Sequence, residues 1–485
     1  MIEIPRDSIQ ARRAFLARLG AGVAGAGLLH ALGSSRAFAL PARGAKAKHC
    51  IFLFMNGGPS QMDLFDYKPE LQRRHGQTMR VEQRRGVFAE AMILGSQRKF
   101  ARHGELGQWC SDALPRIATH MDELCVIKSL YADSFAHGTA LLQMNSGQVV
   151  PGHPALGAWL LHGIGSTNDD LPGFVVMHDP RGGPISGPAN WSAGYMPAKY
   201  QGTLLRASGE PMLDLSSAPN GSARTRMTRA MEREQIELVR ALDRRHLTER
   251  PNDSDLEARE ASYGLAFRLG DSAREALDLS KESARTRELY ALDAQKSEHP
   301  LSLGPAPFGR QCLVARRLIE RGVRFVQIYH GGGHMQQTWD AHLGVEENLA
   351  LHAPEIDQPI AGLLTDLKER GLLDETLVVW GGEFGRMAVA QGASKFQTAC
   401  VDGRDHNPKA FTMWLAGAGV KPGPVGETDE LGSEAVVERR PVRDLHATIL
   451  KLMGLDHETL TWRFAGLDRK LVGVMETHVI EHVLA

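Results

Sequence analysis

The sequence predicts an α/β fold: a mostly parallel sheet sandwiched by helices, carrying a helical insertion. Three observations lead there. Short apolar runs alternate with longer amphipathic stretches, the order that builds parallel strands joined by crossover helices. Several runs end in turns that carry acids or histidines, where open α/β sheets place their ligands. Between residues 224 and 296 the chain turns dense in Arg, Glu and Ala, with Arg250-Pro251-Asn252-Asp253 the main turn signal. That reads as two or three amphipathic helices whose charges form a solvated face.

Each element has its own signal. Arg12-Arg13-Ala14-Phe15-Leu16, an Ala/Gly/Leu-rich stretch from Leu19 to Leu32, and Ala37-Phe38-Ala39 follow one another. Paired Arg, a short apolar core and small residues at a cleavage position make residues 1–39 a twin-arginine signal peptide. Ala11 and Ala17 stand where that signal commonly has Ser and Lys. Lys48 to Phe54 is a buried first strand, ended by the turn formers Asn56-Gly57-Gly58-Pro59-Ser60-Gln61. Leu124 to Leu130 and Gly173 to His178 are further strands, and Ser134 to Gly147 is a loop entering a helix. After the insertion come a helix over Gly309 to Arg321 and a strand over Arg324 to Tyr329. Glu347 to Arg370 holds one or two helices with Pro354 and Pro359 near the start, and Thr376 to Trp380 and Phe411 to Leu415 are strands. Pro441 opens a helix running through Met453, since Pro is well tolerated in a first turn.

Bulk composition narrows the function. The 485 residues suffice for one large or two ordinary domains, and a formal net charge of -1 gives no reason to expect a nucleic-acid partner. The apolar stretch near the N-terminus is too short and Gly-rich for a convincing membrane span. Five scattered cysteines, with no Cys-x-x-Cys pair, argue against a cysteine zinc site and against an all-disulfide framework.

Chemistry-bearing residues gather at three strand ends: Asn56 to Asp63, Asp340 with His342, and Glu383 with Asp405 and His406. Asp340 and His342 are two apart, so in an extended segment both point to one side. Carboxylate and imidazole together suit a divalent metal. His334, after three glycines, is either a further ligand or part of a flexible loop. Glu383 either ligates metal or pairs with Arg386. Arg386 in turn is suited to clamp an anionic phosphate or sulfate oxygen. The Gly57-Gly58 turn is able to present backbone N–H groups to an anion. A second turn is expected to present Asp405-His406. Ser134, His137 and Thr139 are the nucleophile candidates, and no Gly-x-Ser-x-Gly elbow supports a serine hydrolase.

With those residues in view, the chain resembles the domain of unknown function 1501 family, itself similar to the alkaline phosphatase and sulfatase superfamily. The tracts that carry the resemblance are Asn56-Gly-Gly-Pro-Ser-Gln-Met-Asp63-Leu-Phe-Asp66, Gly152-His-Pro-Ala-Leu-Gly-Ala-Trp159, Leu171-Pro-Gly-Phe-Val-Val176 and Trp339-Asp-Ala-His342. Val379-Trp-Gly-Gly-Glu-Phe-Gly-Arg386, Gly403-Arg-Asp-His-Asn-Pro408 and Asp444-Leu-His-Ala-Thr-Ile-Leu450 complete them. The resemblance implies one alkaline-phosphatase-like domain over residues 45–485, with the insertion at about 224–296. It implies a first strand ending at a metal-binding Asn56 or Asp63, an Asp340/His342 ligand pair, Glu383 after a ligand-bearing strand, and a late histidine, His406. Two departures stand out. The stretch His137 to Gly147 has no sulfatase Cys/Ser-x-Pro-Ser-Arg signature, and Glu383-Phe384 replaces the Asp-His of phosphatases.

The expectation is thus an exported, periplasmic or otherwise extracytoplasmic, metal-dependent hydrolase of phosphate or sulfate esters. One or two divalent ions (zinc, manganese or calcium) would be held by Asp340, His342, Asp405 and His406, with Asn56, Asp63 and Glu383 completing the shell. Arg386 would hold the anion, and His137 or Thr139 would serve the chemistry. The expected partners are a small anionic ester or a sulfated or phosphorylated glycan, and the twin-arginine export machinery, but neither nucleic acid nor a membrane interior. The alternative from another class is a non-catalytic extracytoplasmic binding or assembly protein that kept the fold. A phosphoglycerate-mutase-like isomerase is a third reading, disfavoured by export.

Overall fold

Apolar runs of six to eight residues, bounded by turns, assemble into the sheet on which everything else rests. The computed structural model describes residues 46–84, 86–168, 170–205, 229–250, 275–332, 338–391 and 402–485. Residues 1–45, where a signal peptide is expected, and the middle of the insertion, residues 251–274, therefore lie outside the described residues, as does His334. The main-sheet strands are β1 (His49–Met55), β2 (Leu124–Tyr131), β3 (Phe174–Met177), β4 (Thr203–Leu205), β5 (Phe325–His330), β6 (Thr376–Gly381), β7 (Phe411–Gly417), β8 (Gly423–Val425) and β9 (Arg440–Pro441). The order is β8-β2-β7-β6-β1-β5-β3-β4, with β9 also pairing β2. All pairings are parallel except those of β7, which runs antiparallel between β6 and β2.

Helices cover both faces. The α-helices of six or more residues among the described residues are α1 (His137–Ser146), α2 (Leu156–Ile164), α3 (Arg229–Glu249), α4 (Ala284–Leu289), α5 (Ala306–Glu320), α6 (Val345–Glu369) and α7 (Val442–Leu452). Strand side chains alternate between faces. Ile51, Leu53 and Met55 of β1 join one core with Val326, Ile328 and Val378, packed on Phe308 and Leu313 of α5 and Ile356 and Ile360 of α6. On the other face α2 approaches so closely that a Cβ at Gly157 would stand 2.7 Å from the Phe174 and Phe325 rings. Buried on both faces, the central strands read as continuous apolar runs rather than alternating ones, as parallel strands do.

Most expected elements are present within a residue or two. Three findings revise the expectation. Residues 345–369 form one continuous helix with Pro354 and Pro359 inside it, not near its start. Asp405 and His406 sit on a strand, Arg404–Asn407, rather than a turn. That strand pairs antiparallel with Gly385–Ala390 in a two-stranded ribbon whose register sets Arg386 against His406. Two hairpins between Thr78 and Ser111 had no separate signal in the sequence. The insertion is helical where it is described, in α3 and α4. Among the described residues no helix is long and apolar enough to cross a membrane.

The consequence for function is positional. β1, β2, β5 and β6 are mutually parallel, so their carboxyl ends share one edge of the sheet. Asn56 and Glu383 follow two of these ends directly. His137 opens α1 six residues after β2, and Asp340 and His342 lie in the segment that follows β5.

Candidate metal centre

Four side chains from three separate segments converge at that edge. One ligand atom from each of His137, Asp340, His342 and His406 lies within 4.8 Å of all the others. Asp340 is the hub. Its Oδ1 stands 3.0 Å from His342 Nε2 and 3.0 Å from His406 Nε2, and its Oδ2 is 3.1 Å from His137 Nε2. The two facing imidazole nitrogens, His342 Nε2 and His406 Nε2, are 3.0 Å apart.

The far nitrogen of each ring is held by its own partner. His137 Nδ1 donates to Glu383 Oε1 at 2.7 Å, His342 Nδ1 to Gln391 Oε1 at 2.9 Å, and His406 Nδ1 to the Phe135 carbonyl at 2.8 Å. This is how metal-binding histidines are oriented: the outer N–H is tied to a carboxylate or carbonyl, which sends the inner lone pair to the ion. A carbonyl oxygen only accepts, so His406 carries its proton on Nδ1. Its Nε2 lone pair then faces the Asp340 carboxylate at 3.0 Å. Lone pair against anion repels unless a cation sits between them. Metal–ligand bonds of about 2.0–2.1 Å place neighbouring donors roughly 3.0–3.4 Å apart, close to the 3.0 Å spacing of Asp340 Oδ1, His342 Nε2 and His406 Nε2, while the full set of four spans up to 4.8 Å. The residues therefore fit a divalent ion.

Charge and burial act differently on the three groups in the metal-free protein. Burial pushes the His406 imidazole down, outweighing the pull of Asp340, and the Arg386 and His137 charges add to the lowering. Burial also opposes charge on His137, yet its two carboxylate neighbours, Asp340 and Glu383, lift it to about 9. The Asp340 carboxyl is held well below the carboxylate range: burial opposes this, and Arg386 with the three histidines overcomes it.

The other expected site residues have different tasks. Glu383 is fully buried and touches His137 and the Gly57 amide, at 3.0 and 3.2 Å, rather than the cluster centre. It pairs with His137 instead of Arg386. Arg386, also fully buried, donates to the Gly58 carbonyl at 2.9 Å, the Arg404 carbonyl at 3.1 Å, the Trp339 carbonyl at 3.3 Å, the Gly57 carbonyl, and Asp340 Oδ1 at 2.6 Å. It is a brace for the hub carboxylate, not an open anion clamp. The anion at the Gly57 amide is likewise the protein's own Glu383. Asp63 is outside the cluster. Both its oxygens face the buried Arg404 guanidinium, at 2.8 and 3.2 Å, so it anchors the ribbon strand that carries His406. Asn56 is buried; its amide nitrogen donates to the Gly331 carbonyl and its Oδ1 has no hydrogen-bond partner. Asp405 Oδ1 accepts from the His406 amide at 2.7 Å and is 3.8 Å from His342 Nδ1. Thr139 is exposed, its hydroxyl donating to the Ala136 carbonyl at 3.0 Å beside Ser134 Oγ at 2.5 Å.

Three contributors had no signal in the sequence. Gln391 orients His342, and the Phe135 carbonyl orients His406. Trp339 ties the Asp340 segment down, its amide donating to the Asn56 carbonyl at 2.9 Å and its indole to His330 Nδ1 at 3.0 Å. His330 in turn lies 3.1 Å from the buried Glu355. Each of these contacts joins residues at least nine apart in sequence.

A family model described as a protein of unknown function, DUF1501, matches residues 47–484. The chain belongs to that family. No curated protein matches it. Among solved structures, this DUF1501 chain is similar to the PsFucS1 sulfatase from Pseudoalteromonas sp., at 11% identity over 88% of this chain and 72% of that one, with a TM-score of 0.36. It is similar to a TAB5 alkaline phosphatase mutant with bound Mg, at 11% identity over 85% and 99%, TM-score 0.35. It is also similar to the lipoteichoic acid synthase LtaP from Listeria monocytogenes, at 10% identity over 89% and 75%, TM-score 0.35.

Proposed function

We propose that this DUF1501 protein is an exported metal-dependent hydrolase of phosphate or sulfate esters. One observation carries the reading: three imidazoles, each fixed from behind through Nδ1, turn Nε2 onto a single carboxylate at the carboxyl edge of a parallel sheet. Imidazole-rich sets favour zinc and its first-row neighbours, whereas calcium prefers an all-oxygen shell. Zinc is therefore the ion to try first. A bound divalent ion would polarise the ester oxygen and lower the pKa of water.

The chain's own residues do the rest. His137, Asp340, His342 and His406 hold the ion. Glu383, Gln391 and the Phe135 carbonyl fix the ring orientations, and Arg386 fixes the hub carboxylate. Thr139 spends its hydroxyl proton on Ala136, so solvent water is the oxygen nucleophile in this reading. Its oxygen adds to phosphorus or sulfur, and the ester oxygen leaves with a proton as the alcohol. Residues 1–39 supply export, and replacing Arg12 and Arg13 by Lys should leave the protein in the cytoplasm.

Elemental analysis of the purified protein, followed by turnover of aryl phosphate and aryl sulfate esters with that metal restored, tests the reading. About one equivalent of metal with turnover supports it. Metal-free protein that neither takes up zinc nor hydrolyses either ester overturns it in favour of a non-catalytic binding protein. The engaged Thr139 hydroxyl is the observation on that side.

A further inference from the structure

Near the end of the chain a cation sits among aromatic rings without an acid. We propose that it marks a second binding site, remote from the metal centre, for a carboxylate carried on a flat apolar ring. The site lies between the hairpin of Trp462–Phe464 and Leu467–Arg469 and the loops that hold His153 and Tyr195, and it does not depend on the metal. Helix α1 separates the two places. His137 at its start belongs to the metal centre, whereas a Cβ on Gly147, just past its end, would stand 2.3 Å from the Leu471 carbonyl, two residues beyond Arg469. The ten residues of α1 span about 15 Å.

The hairpin register sets the geometry. Trp462 faces Arg469 and Phe464 faces Leu467 across the antiparallel pair, and residues two apart lie on one side of a strand. Trp462, Phe464, Leu467 and Arg469 therefore share one face, and Arg463 and Asp468, paired at 3.2 Å, share the other. The first face turns onto the protein. Phe464 stacks on Tyr195 with ring centres 4.8 Å apart and planes within 16°, and Trp462 meets His162 edge-on at 5.1 Å. His153 in turn meets Tyr195 edge-on at 5.6 Å. The two loops beneath are tied together. The Ala155 amide donates to the Ser192 carbonyl at 2.9 Å, and a Cβ on Gly194 would stand 2.4 Å from the His153 carbonyl carbon.

Arg469 is the exception on this aromatic face. It is half-buried, its Nε is buried with no hydrogen-bond partner, and no carboxylate among the described residues pairs with it. A guanidinium partly out of water and without an anion is costly, and a buried donor left unmet calls for an acceptor from outside the chain. The Arg469 charge reaches both of its neighbours. Burial pushes the His153 imidazole down and Arg469 adds to the lowering, while burial lifts the Tyr195 phenol to about 12 against the pull of Arg469. At neutral pH the place offers one cation, one phenolic O–H donor and a neutral imidazole. A single charge on a planar fork suits a carboxylate. Phe464, 43% exposed above Tyr195, and Leu467, 55% exposed, give a ring a surface to lie on. Phe464 and Arg469 are diagonal neighbours on the hairpin, with backbones about 7–8 Å apart, a gap that a ring and its carboxyl group bridge.

Calorimetric titration of 2-naphthoate into the full chain, with and without zinc, tests the site. The probe should bind saturably and alike in both states, and about tenfold or more tightly than 2-naphthamide, which lacks the charge, or acetate, which lacks the ring. Arg469→Gln should weaken 2-naphthoate by about tenfold and bring it level with the amide. Tyr195→Phe keeps the stack on Phe464 and loses only the hydroxyl, so it should cost roughly threefold. Binding that needs zinc and disappears in His406→Ala would put the probe on the metal centre and overturn the proposal. Equal binding of the amide, no saturable binding, or wild-type affinity in both Arg469→Gln and Tyr195→Phe would overturn it too, and each leaves the metal centre standing.

Discussion

Replacing Glu383 by Gln alters the site through one hydrogen bond. The side chain is fully buried, with Oε1 2.7 Å from His137 Nδ1 and the Gly57 amide shared between its oxygens. Gln has the same shape and still accepts one bond, but the charge is gone and an NH2 replaces an acceptor. Losing an outer-shell partner of this kind typically lowers metal affinity by about 10–100-fold, or roughly 1.4–2.8 kcal/mol. The metal-free protein reports the same contact independently. Its His137 is raised to about 9, above an ordinary 6.5, against the effect of burial, by Asp340 and Glu383 together. A raised pKa means stability that is fully present below about 6.5 and lost as pH climbs through about 9. The whole effect is worth roughly 3 kcal/mol, shared between Asp340 and Glu383. Metal-free Glu383→Gln should therefore be less stable than wild type by about 1–2 kcal/mol at slightly acidic pH, with the gap closing in alkali. Urea unfolding on both sides of that window and competitive zinc titration make the measurement. Zinc affinity within about threefold of wild type, or a stability gap that does not shrink with pH, would refute the orienting role.

Four further outcomes follow from the same geometry. His406→Ala should lose bound metal while keeping its far-ultraviolet circular dichroism; unchanged metal content would remove His406 from the centre. Asp63→Asn should cost about 3–5 kcal/mol by stranding the buried Arg404 charge, yet the folded fraction should bind zinc normally, and loss of metal alone would return Asp63 to the ligand list. Trp339→Phe removes the indole donor to His330 and should cost about 1–2 kcal/mol, with a changed absorption spectrum of the cobalt-substituted protein because the Asp340 segment loosens; an unaltered spectrum counts against that link. Gly58→Ala places a Cβ 2.8 Å from the Phe384 ring at a backbone φ of +77, so it should destabilise by more than about 1 kcal/mol, and a neutral result in thermal denaturation would contradict the packing described.

The main sheet was legible because burial on both faces makes a parallel strand a bare apolar run. Lys48 to Phe54 and Thr376 to Trp380 are such runs, and the strands found there differ from them by a residue or so. The ribbon strand Arg404–Asn407 was not legible. Its residues are polar, it is four long, and thirteen residues, 391–403, separate it from the end of its partner at Ala390, so nothing local marks it as extended. The long helix left one versus two segments open for a similar reason. Pro354 and Pro359 fit best near a helix start, and packing of Ile356, Ile360, Leu363 and Leu364 into the core holds one helix through both. Tertiary burial outweighs local propensity when the apolar stripe is long enough.

The candidate centre divides along the same line. Sequence alone determined which residue types were available and which strand ends bore them, because turn chemistry and apolar periodicity are local properties. It named Asp340, His342 and His406 as ligands together with Asn56, Asp63, Glu383 and Asp405, and His137 as a catalytic candidate. Only the tertiary structure decided how the acids and cations were spent. Glu383 turned to His137, Asp63 to Arg404, and Arg386 inward to Asp340. A buried charge takes whichever partner three-dimensional proximity supplies, and the pairs here join residues 46 to 341 positions apart.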